Sequence, residues 1–341
     1  MRTVLLAGGG TGGHVMPAIA VGEELKKAGF NIIFGGGSGM EKRIAENYKI
    51  PFFGVQNVRF SRRNILENVK IPILLGKGIS QAKKVLNEYK TAAVFAKGGY
   101  ASLPWALAAK SLNIPVVCHE SDLSMGLSNK LISRFAKKTL TSFPETKGGI
   151  CIGNPIRGEI FSGSKERARK KYGFSGEILL ILGGSQGAAA INKCVFQSAK
   201  ALTGISEVVH ITGKCTEAPD MKGYHHIEYA DDIADLYAAA HTVVTRGGAG
   251  ALAEISSLGK RMIVIPLPKS RYSRGDQVEN AEYYMKNGRC RIIFEQQLAV
   301  SELVRAVESE RKLPLGKVSD AHSAKKAADI IAEVISRELD Y

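Results

Sequence analysis

The chain of 341 residues has a single tryptophan, only five cysteines and no long apolar run. Its longest apolar stretches, Leu103 to Ala109 among them, fall far short of the roughly 18 residues that a membrane-spanning helix needs. The cysteines are odd in number, lie far apart and form no C-x-x-C pair. These absences argue against a spanning protein, a disulfide framework and a zinc site, and they suit a reducing cytoplasm.

Motifs for nucleotide and metal chemistry are also missing. No G-x-x-x-x-G-K-[ST] occurs, which excludes a P-loop NTPase, and no D-x-D or His/Asp cluster offers a metal to a nucleotide. The N-terminus is apolar for only a few residues before Gly8, unlike a signal peptide. We therefore expect no leader segment, no metal and no cofactor.

The composition that is present, 45% hydrophobic and 23% charged, predicts a globular chain too long for one ordinary domain. Short β-rich runs such as 3–7 and 31–34 alternate with helical patterns such as 17–28, which is typical of βαβ units and a parallel sheet. The rhythm starts again after Arg157. We predict two doubly wound α/β domains, residues 1–158 and 159–341.

The last helical pattern, from Asp320 to about Leu339, has one apolar face made by alanine, isoleucine and valine at helical spacing. This face needs a partner surface. The sequence assigns the helix to the second domain and leaves open whether it packs back on the first.

Positive charge is concentrated in the first half of the chain. Residues 1–157 carry 22 basic and 9 acidic side chains, a balance of +13, whereas residues 158–341 carry 25 and 23, a balance of +2. The first half is therefore expected to meet an anion. Charge alone does not choose between nucleic acid, anionic lipid and a phosphorylated substrate.

Three glycine-rich loops follow predicted strands: residues 8–13, 183–187 and 246–250. A glycine turn that leads into a helix directs backbone N–H groups and the positive end of the helix dipole at one place, which favours phosphate. The first loop satisfies G-x-G-x-x-G, but the next strand ends in Gly35-Gly36-Gly37 without the acidic residue that a dinucleotide ribose requires. The third loop opens a helix that carries Glu254, a candidate for ribose hydroxyls.

The motifs in combination resemble the MurG family of peptidoglycan glycosyltransferases. The resemblance spans residues 3 to about 282 and rests on motifs at Gly8–His14, Gly98–Tyr100, His119–Glu120, Gly126–Lys130, Gly153–Arg157, Gly183–Gly187 and Asp276–Ala281. It implies the GT-B architecture, two Rossmann-like domains facing across a cleft. It further implies inverting, metal-independent transfer of N-acetylglucosamine from UDP-N-acetylglucosamine to the 4-hydroxyl of undecaprenyl-pyrophosphoryl-muramoyl-pentapeptide (lipid I), giving lipid II.

Residue by residue, the resemblance implies Arg157 and Ser185 near the pyrophosphate, Ala230 beside uracil and Gln277 at the sugar. The substrate-binding positions carried over are Thr11, Gly12, Gly13, Asp122, Asn129, Arg157, Ser185, Gln186, Gly187, Ala230, Ala249, Glu254, Gln277 and Asn280. Asp122 departs from the family, many of whose members have asparagine there, so the contact assigned to that amide is in doubt.

The chemistry needs a general base on the acceptor hydroxyl, and two places in the sequence offer one. His14 is the first candidate because an imidazole titrates near neutral pH. Glu120 and His119 form the second. A histidine after a glycine loop also caps helices or contacts phosphate, and that alternative stays open for His14.

Residues 59–90 interleave basic and apolar groups, with eight basic and two acidic side chains. This pattern is typical of a peripheral membrane surface. The predicted patch consists of Arg62, Arg63, Lys70, Ile73, Leu74, Leu75 and Lys77. Packing of Ile73 to Leu75 into the core is the alternative.

The resemblance favours the bilayer, since a lipid-linked acceptor has to be reached there. It places the protein peripherally on the cytoplasmic face of the bacterial inner membrane, with cell-wall or division complex proteins as candidate partners. Nucleic acid is not expected, because the basic segment lacks aromatic interleaving and any recognised binding motif.

Other functions remain as alternatives at this stage. Within the fold they are a diacylglycerol glycosyltransferase and a UDP-sugar epimerase, which would share the nucleotide site of the second domain. Outside it they are an NAD-dependent oxidoreductase and a non-catalytic nucleotide-binding module.

Overall fold

The computed structural model describes residues 1–10, 12–37, 39–57, 69–183, 188–214, 218–270, 273–319 and 322–338. The chain divides into two compact units. The first contains Met1–Arg157 and the C-terminal segment Ala321–Tyr341, and the second is Gly158–Asp320. The first unit thus ends one residue before the boundary expected from the sequence, and the last helix belongs to it.

The first unit is built on a seven-stranded parallel sheet with the order β3-β2-β1-β4-β5-β6-β7. Its strands are β1 (Thr3–Ala7), β2 (Asn31–Gly36), β3 (Phe52–Gly54), β4 (Thr91–Ala96), β5 (Val116–Glu120), β6 (Lys138–Thr141) and β7 (Ile150–Cys151). Its helices are α1 (Gly12–Lys27), α2 (Glu41–Asn47), α3 (Ile71–Glu88), α4 (Leu103–Ser111) and α5 (Leu127–Ile132). Strand β1 is Thr-Val-Leu-Leu-Ala and is wholly buried, as expected of a parallel strand covered on both faces.

The second unit has a six-stranded parallel sheet with the order β10-β9-β8-β11-β12-β13. Its strands are β8 (Ile178–Leu182), β9 (Glu207–Ile211), β10 (Tyr224–Ile227), β11 (Ala240–Thr245), β12 (Arg261–Val264) and β13 (Arg291–Ile292). Its helices are α6 (Lys165–Tyr172), α7 (Ala189–Thr203), α8 (Ile233–Ala239), α9 (Ala249–Ser257), α10 (Asp276–Lys286) and α11 (Val300–Arg311). The predicted pair of doubly wound parallel-sheet domains is confirmed.

Some helices begin and end where the local sequence signals predict, and others do not. Helix α6 begins where the Ser164 hydroxyl accepts the N–H of Arg167, and it ends at Gly173 with φ +78°. Helix α1 begins at Gly12, five residues before the start expected at Pro17, so the glycine loop itself forms the first helical turn. Proline was a misleading start signal here, because it lies in the second turn.

The C-terminal helix α12 (Ser323–Arg337) packs its apolar face on α1 in the first unit. Ala327, Ala328 and Ile331 are buried in the same core cluster as Ile19 of α1. The chain therefore returns to its first unit to cover one side of that sheet.

In both sheets the strand order reverses direction at one point, between β1 and β4 in the first unit and between β8 and β11 in the second. Open α/β sheets bind ligands at this switch point, in the crevice outside the carboxyl ends of the strands. At these points lie the glycine-rich loops that follow β1 and β4 in the first unit and the one that follows β11 in the second, whereas residues 184–187 after β8 lie outside the described part of the chain.

Gly35 tests how tightly the first sheet is packed. A Cβ atom at this position would lie 2.5 Å from Cε2 of Trp105, which is fully buried. We expect Gly35→Ala to lower the free energy of unfolding by about 3 kcal/mol, because a packed indole has no room to move. Chemical denaturation measures this.

Gly76 provides the matched control for the same substitution. It lies in α3, it is exposed, and a Cβ atom there would meet nothing within 4 Å. Gly76→Ala should stabilise the protein by about 0.5–1 kcal/mol through helix propensity. Equal effects of the two variants would contradict the packing described.

Candidate substrate sites of the two units

The first glycine loop joins β1 to α1 at the switch point of the first unit. Gly10 has φ +87°, a conformation that disfavours other residues. Gly12 and Gly13 form the first helical turn, and His14 follows on the same turn. A Cβ atom at Gly99, after β4, would lie 3.4 Å from Nδ1 of His14, so the two loops are in close contact. This turn presents backbone N–H groups and an imidazole together.

A buried carboxylate organises the loop after β5. Oε1 of Glu120 accepts the N–H of Asp122 at 3.0 Å, and Oε2 accepts the N–H of Gly126 at 2.9 Å. Asn129 donates from Nδ2 to the same Oε2 at 2.9 Å and to the carbonyl of His119 at 3.0 Å. Glu120 and Asn129 are both 3% exposed. The carboxylate thus fixes residues 121–126 and the start of α5.

His119 lies inside the sheet and not on its surface. It is fully buried, and Nε2 donates to the carbonyl of Gly153 at 3.0 Å, which leaves Nδ1 unprotonated. Loss of hydration, with the nearby Lys97 adding to it, holds the pKa of His119 well below its ordinary value. The ring is therefore neutral and structural in its contacts.

Lys97 was not singled out from the sequence, yet it lies at the same switch point. It follows β4 directly, is fully buried, and its ammonium donates to Oγ of Ser121. Burial lowers the pKa of Lys97 to about 8, against an opposing effect of Glu120 and Asp122. A lysine before Gly98-Gly99 at a strand end was the available signal, but nothing local indicated its burial.

Arg157 lies at the end of the first unit. Its guanidinium donates from Nη1 to the hydroxyl of Tyr48 at 2.9 Å, and the side chain is 7% exposed. Sequence reasoning associated it with the pyrophosphate of the donor. Within the first unit, the contact with the end of α2 orients it.

The glycine turn of the second unit, between β11 and α9, is held by the start of α10. Oε1 of Gln277 accepts the N–H of Gly247 at 3.2 Å and the N–H of Leu267 at 3.0 Å. Asn280 is fully buried and donates from Nδ2 to the carbonyl of Gly247 at 3.2 Å. Two amides that the sequence assigned to the sugar thus shape the loop, and Asn280 lies wholly beneath it.

Glu254 lies on α9 with its carboxylate partly exposed, next to a phenol. The hydroxyl of the buried Tyr237 donates to Oε2 at 3.5 Å. The helix begins at Ala249, which is 5% exposed, after Gly248 in an extended conformation. Ala230 follows β10 and is partly exposed. Glu254 is therefore the acidic group on the helix that leaves the glycine turn.

Several predicted site residues lie outside the described part of the chain. They are Thr11, Ser185, Gln186, Gly187, Arg62 and Arg63. Among the described residues there is no cluster of three or more histidine, cysteine, aspartate or glutamate side chains that could hold a metal ion.

The described part of the basic and apolar segment, residues 69–90, contains the whole of α3 and the two residues before it. Ile73 is 77% exposed and Val69 is 73% exposed, while Leu74 and Leu75 are half-buried. Lys70 and Lys77 are exposed on the same stretch. Ile73 does not pack into the core. Over the described ranges, no helix has the length and apolar content needed to cross a membrane.

Family comparisons agree with the two-unit division. A model described as the glycosyltransferase family 28 N-terminal domain matches residues 4–141, and one described as the family 28 C-terminal domain matches residues 178–334. The first match lies within the first unit. The second match lies in the second unit, except that it extends into α12, which belongs to the first unit.

Relatives and solved structures point the same way. A Clostridium botulinum protein named UDP-N-acetylglucosamine–N-acetylmuramyl-(pentapeptide) pyrophosphoryl-undecaprenol N-acetylglucosamine transferase is 36% identical, with 98% of each chain covered. The crystal structure of Acinetobacter baumannii MurG has a TM-score of 0.72 at 24% identity, covering 98% of this chain and all of the other. A UDP-GlcNAc 2-epimerase from Methanocaldococcus jannaschii has a TM-score of 0.68 at 15% identity, with 98% and 100% coverage. At sequence identities below 25%, the similarity to these two structures supports the fold alone.

Two buried histidines are expected to make the free energy of unfolding depend on pH. His119 is described above, and His210 in β9 bonds Tyr224 and Asn192 while burial lowers its pKa to about 3. Below about pH 6.5 the unfolded chain binds protons that the folded chain does not, so the free energy of unfolding falls as pH falls. We expect a slope of up to about 1.4 kcal/mol per pH unit for each histidine. Urea titrations between pH 4 and 7 measure it.

Replacement of His210 separates its contribution from the rest. His210→Gln should flatten the dependence in the second unit. The exposed His322, at the start of α12 in the first unit, is the control, and His322→Gln should leave the slope as it is. The same slope in all three proteins would refute the assignment.

Proposed function

The chain belongs to glycosyltransferase family 28, and from this premise we propose that it transfers N-acetylglucosamine from UDP-N-acetylglucosamine to lipid I, forming lipid II. The resemblance to the MurG family, predicted from the motifs, is confirmed by the comparisons. The observation that carries the proposal is the Clostridium botulinum transferase described above, which is 36% identical to this chain over 98% of both chains. The epimerase likeness reaches only 15% identity and supports the shared fold.

The second unit is the donor half of the proposal. Its glycine turn at residues 246–248 and the start of α9 present N–H groups at the switch point, where a pyrophosphate is favoured. Glu254, oriented by Tyr237, accepts hydrogen bonds from the ribose hydroxyls. Ala230 contacts uracil through its backbone, and the Nε2 amide of Gln277 reads a sugar hydroxyl while its Oε1 holds the loop.

The first unit is the acceptor half, and His14 is the general base. Its imidazole takes the proton of the acceptor 4-hydroxyl as that oxygen attacks the anomeric carbon. The bond from this carbon to the UDP oxygen breaks, UDP leaves with the electron pair, and the configuration inverts. N–H groups and helix dipoles stabilise the negative charge that develops on UDP.

His14 is preferred over the other candidates because of where they lie. His119 is fully buried, and both carboxylate oxygens of Glu120 already accept hydrogen bonds from the loop. We therefore propose that these two residues hold the loop after β5 in place and take no part in the proton transfer. Gly12 and Gly13 contribute backbone N–H groups beside His14.

Membrane contact through the start of α3 completes the proposal. Val69 and Ile73 are exposed apolar groups in the same short stretch as the exposed Lys70 and Lys77, which matches an anionic lipid surface. The protein would then work peripherally at the cytoplasmic face of the inner membrane, where the lipid-linked acceptor is found. Proteins of cell-wall synthesis or division remain predicted partners.

Transfer of labelled N-acetylglucosamine to a lipid I analogue tests the function, with a chelator present throughout. We expect transfer to persist in the chelator. His14→Ala should lower kcat by about 10²–10⁴-fold with little change in the donor KM, because only the proton transfer is lost. Glu254→Ala should raise the donor KM about tenfold, because ribose contacts are lost.

Glu282→Ala is the matched control for Glu254→Ala, since it removes an exposed glutamate from α10 of the same unit. It should leave both constants unchanged. Binding of UDP-N-acetylglucosamine without any transfer by the unaltered protein would overturn the proposed acceptor.

Vesicle binding tests the membrane contact. The double variant Ile73→Ser with Lys77→Gln should bind vesicles containing anionic lipid several-fold more weakly, while UDP binding stays unchanged. Each basic residue near a charged surface contributes about 1 kcal/mol, and the loss of the apolar group adds to this. Sedimentation with vesicles gives the bound fraction.

A pair in the second unit controls for the loss of one charge and one apolar group. Lys312 and Leu313 are both exposed, Leu313 by 42%. Lys312→Gln with Leu313→Ser should leave vesicle binding as it was. If both double variants bind equally well, the start of α3 is not the membrane surface.

A further inference from the structure

Lys97 combines a position at the switch point with complete burial. It directly follows β4, and its backbone N–H donates to the carbonyl of Ala7 at the end of β1 at 2.7 Å. A Cβ atom at Gly8 would lie 3.5 Å from Cβ of Lys97 and 3.4 Å from the carbonyl of His14. The Cβ atom of Lys97 therefore lies beside the start of the glycine turn that carries His14.

A buried ammonium is costly, since desolvation disfavours its charged form. Desolvation is the main influence on Lys97, and the carboxylates of Glu120 and Asp122 oppose it. An apolar side chain of similar size would avoid this cost. A residue kept at such a cost, in a place where α/β sheets bind ligands, points to a role in binding.

The ammonium is the first group in a chain of buried polar contacts. It donates to Oγ of Ser121, and that hydroxyl donates to Oδ1 of Asn154 at 3.2 Å. Ser121 and Asn154 are both 6% exposed. The contacts run from the end of β4 to the loop after β5 and on to the segment after β7. They link the three segments of the first unit that follow β4, β5 and β7.

We infer that Lys97 is a positioning residue of the acceptor site, whose buried ammonium holds Ser121 and Asn154 and makes the site selective for a pyrophosphate-bearing acceptor. This inference rests on the proposed function. The positive charge held at Ser121, in the loop that follows β5, complements an anion bound at this end of the sheet. A pyrophosphate diester carries one more negative charge than a phosphate diester and is therefore attracted more strongly.

The test compares Lys97→Met with the unaltered enzyme on two acceptors, a lipid I analogue and its monophosphate counterpart. The KM for the pyrophosphate-bearing acceptor should rise at least about tenfold in Lys97→Met, as expected for a lost interaction with a charged group. The preference for pyrophosphate over monophosphate should shrink by a similar factor. The donor KM should not change.

Thermal unfolding separates this role from a purely structural one. Methionine in place of a buried ammonium is expected to leave Tm unchanged or to raise it. A structural role predicts the opposite pattern: a lower Tm and losses that do not depend on the acceptor. Lys260→Met is the matched control, because Lys260 in the second unit is partly buried and donates to the carbonyl of Ala238 at 3.2 Å. It should leave the acceptor KM unchanged.

Ser121 tests the chain of contacts. Ser121→Ala should also raise the acceptor KM, whereas Ser121→Thr, which keeps the hydroxyl, should restore most of the affinity. The effects of Lys97→Met and Ser121→Ala should be less than additive in the double variant, because both break the same chain.

The pH profile supplies an independent readout. In the unaltered enzyme, kcat/KM for the acceptor should fall as pH rises past about 8, since the lysine then loses its charge. The titratable groups whose charges interact with Lys97 are His119 and Glu120 on β5 and Asp122 in the loop that follows it. The break belongs to Lys97 when it disappears in Lys97→Met.

The outcomes separate the two proposals. No transfer to lipid I by the unaltered enzyme overturns the proposed function. Transfer by the unaltered enzyme, with an unchanged acceptor KM and unchanged phosphate preference in Lys97→Met, overturns the role of Lys97 alone.

Discussion

Backbone groups in the loops beyond the carboxyl ends of the strands have no neighbouring strand to pair with, and the conformation of these loops depends on the side chains that act as partners instead. A buried N–H or carbonyl group without a partner costs free energy comparable to a lost hydrogen bond. In the first unit Glu120 meets the need by accepting the N–H groups of Asp122 and Gly126. In the second unit Gln277 accepts those of Gly247 and Leu267. One polar side chain thus sets the course of each loop.

This constraint divides the polar residues of the two halves into two kinds. Asn129, Asn280 and Glu120 are almost wholly buried, and their hydrogen bonds go to the protein itself. His14 and Glu254 are partly exposed on helices that leave the glycine turns. Loss of a residue of the first kind would disturb a loop, whereas loss of one of the second kind would remove a contact that we propose with the substrate. The distinction follows from burial.

Electrostatics adds a second level of organisation in the first unit. The charge balance of +13 over residues 1–157 is expressed in two ways. Lys70 and Lys77 are exposed beside apolar side chains, as the proposed contact with a lipid surface requires, whereas Lys97 is buried directly after β4. The positive charge of this unit is therefore divided between an exposed stretch and a buried position at the end of a strand.

Much of the fold was determined by the sequence alone, and the residues of the candidate site stay predictions from its motifs. Strand periodicity and glycine turns predicted two parallel-sheet domains, and the combined motifs predicted the family. Only the tertiary structure decided that α12 packs on α1, that Lys97 is buried, and that Asn280, predicted to contact the substrate, is buried against the carbonyl of Gly247. The physical reason is range. A strand, a turn and a helix depend on neighbours within a few residues, whereas burial and hydrogen-bond partners depend on segments that meet only after folding, such as Lys97 with Ser121 and Asn154.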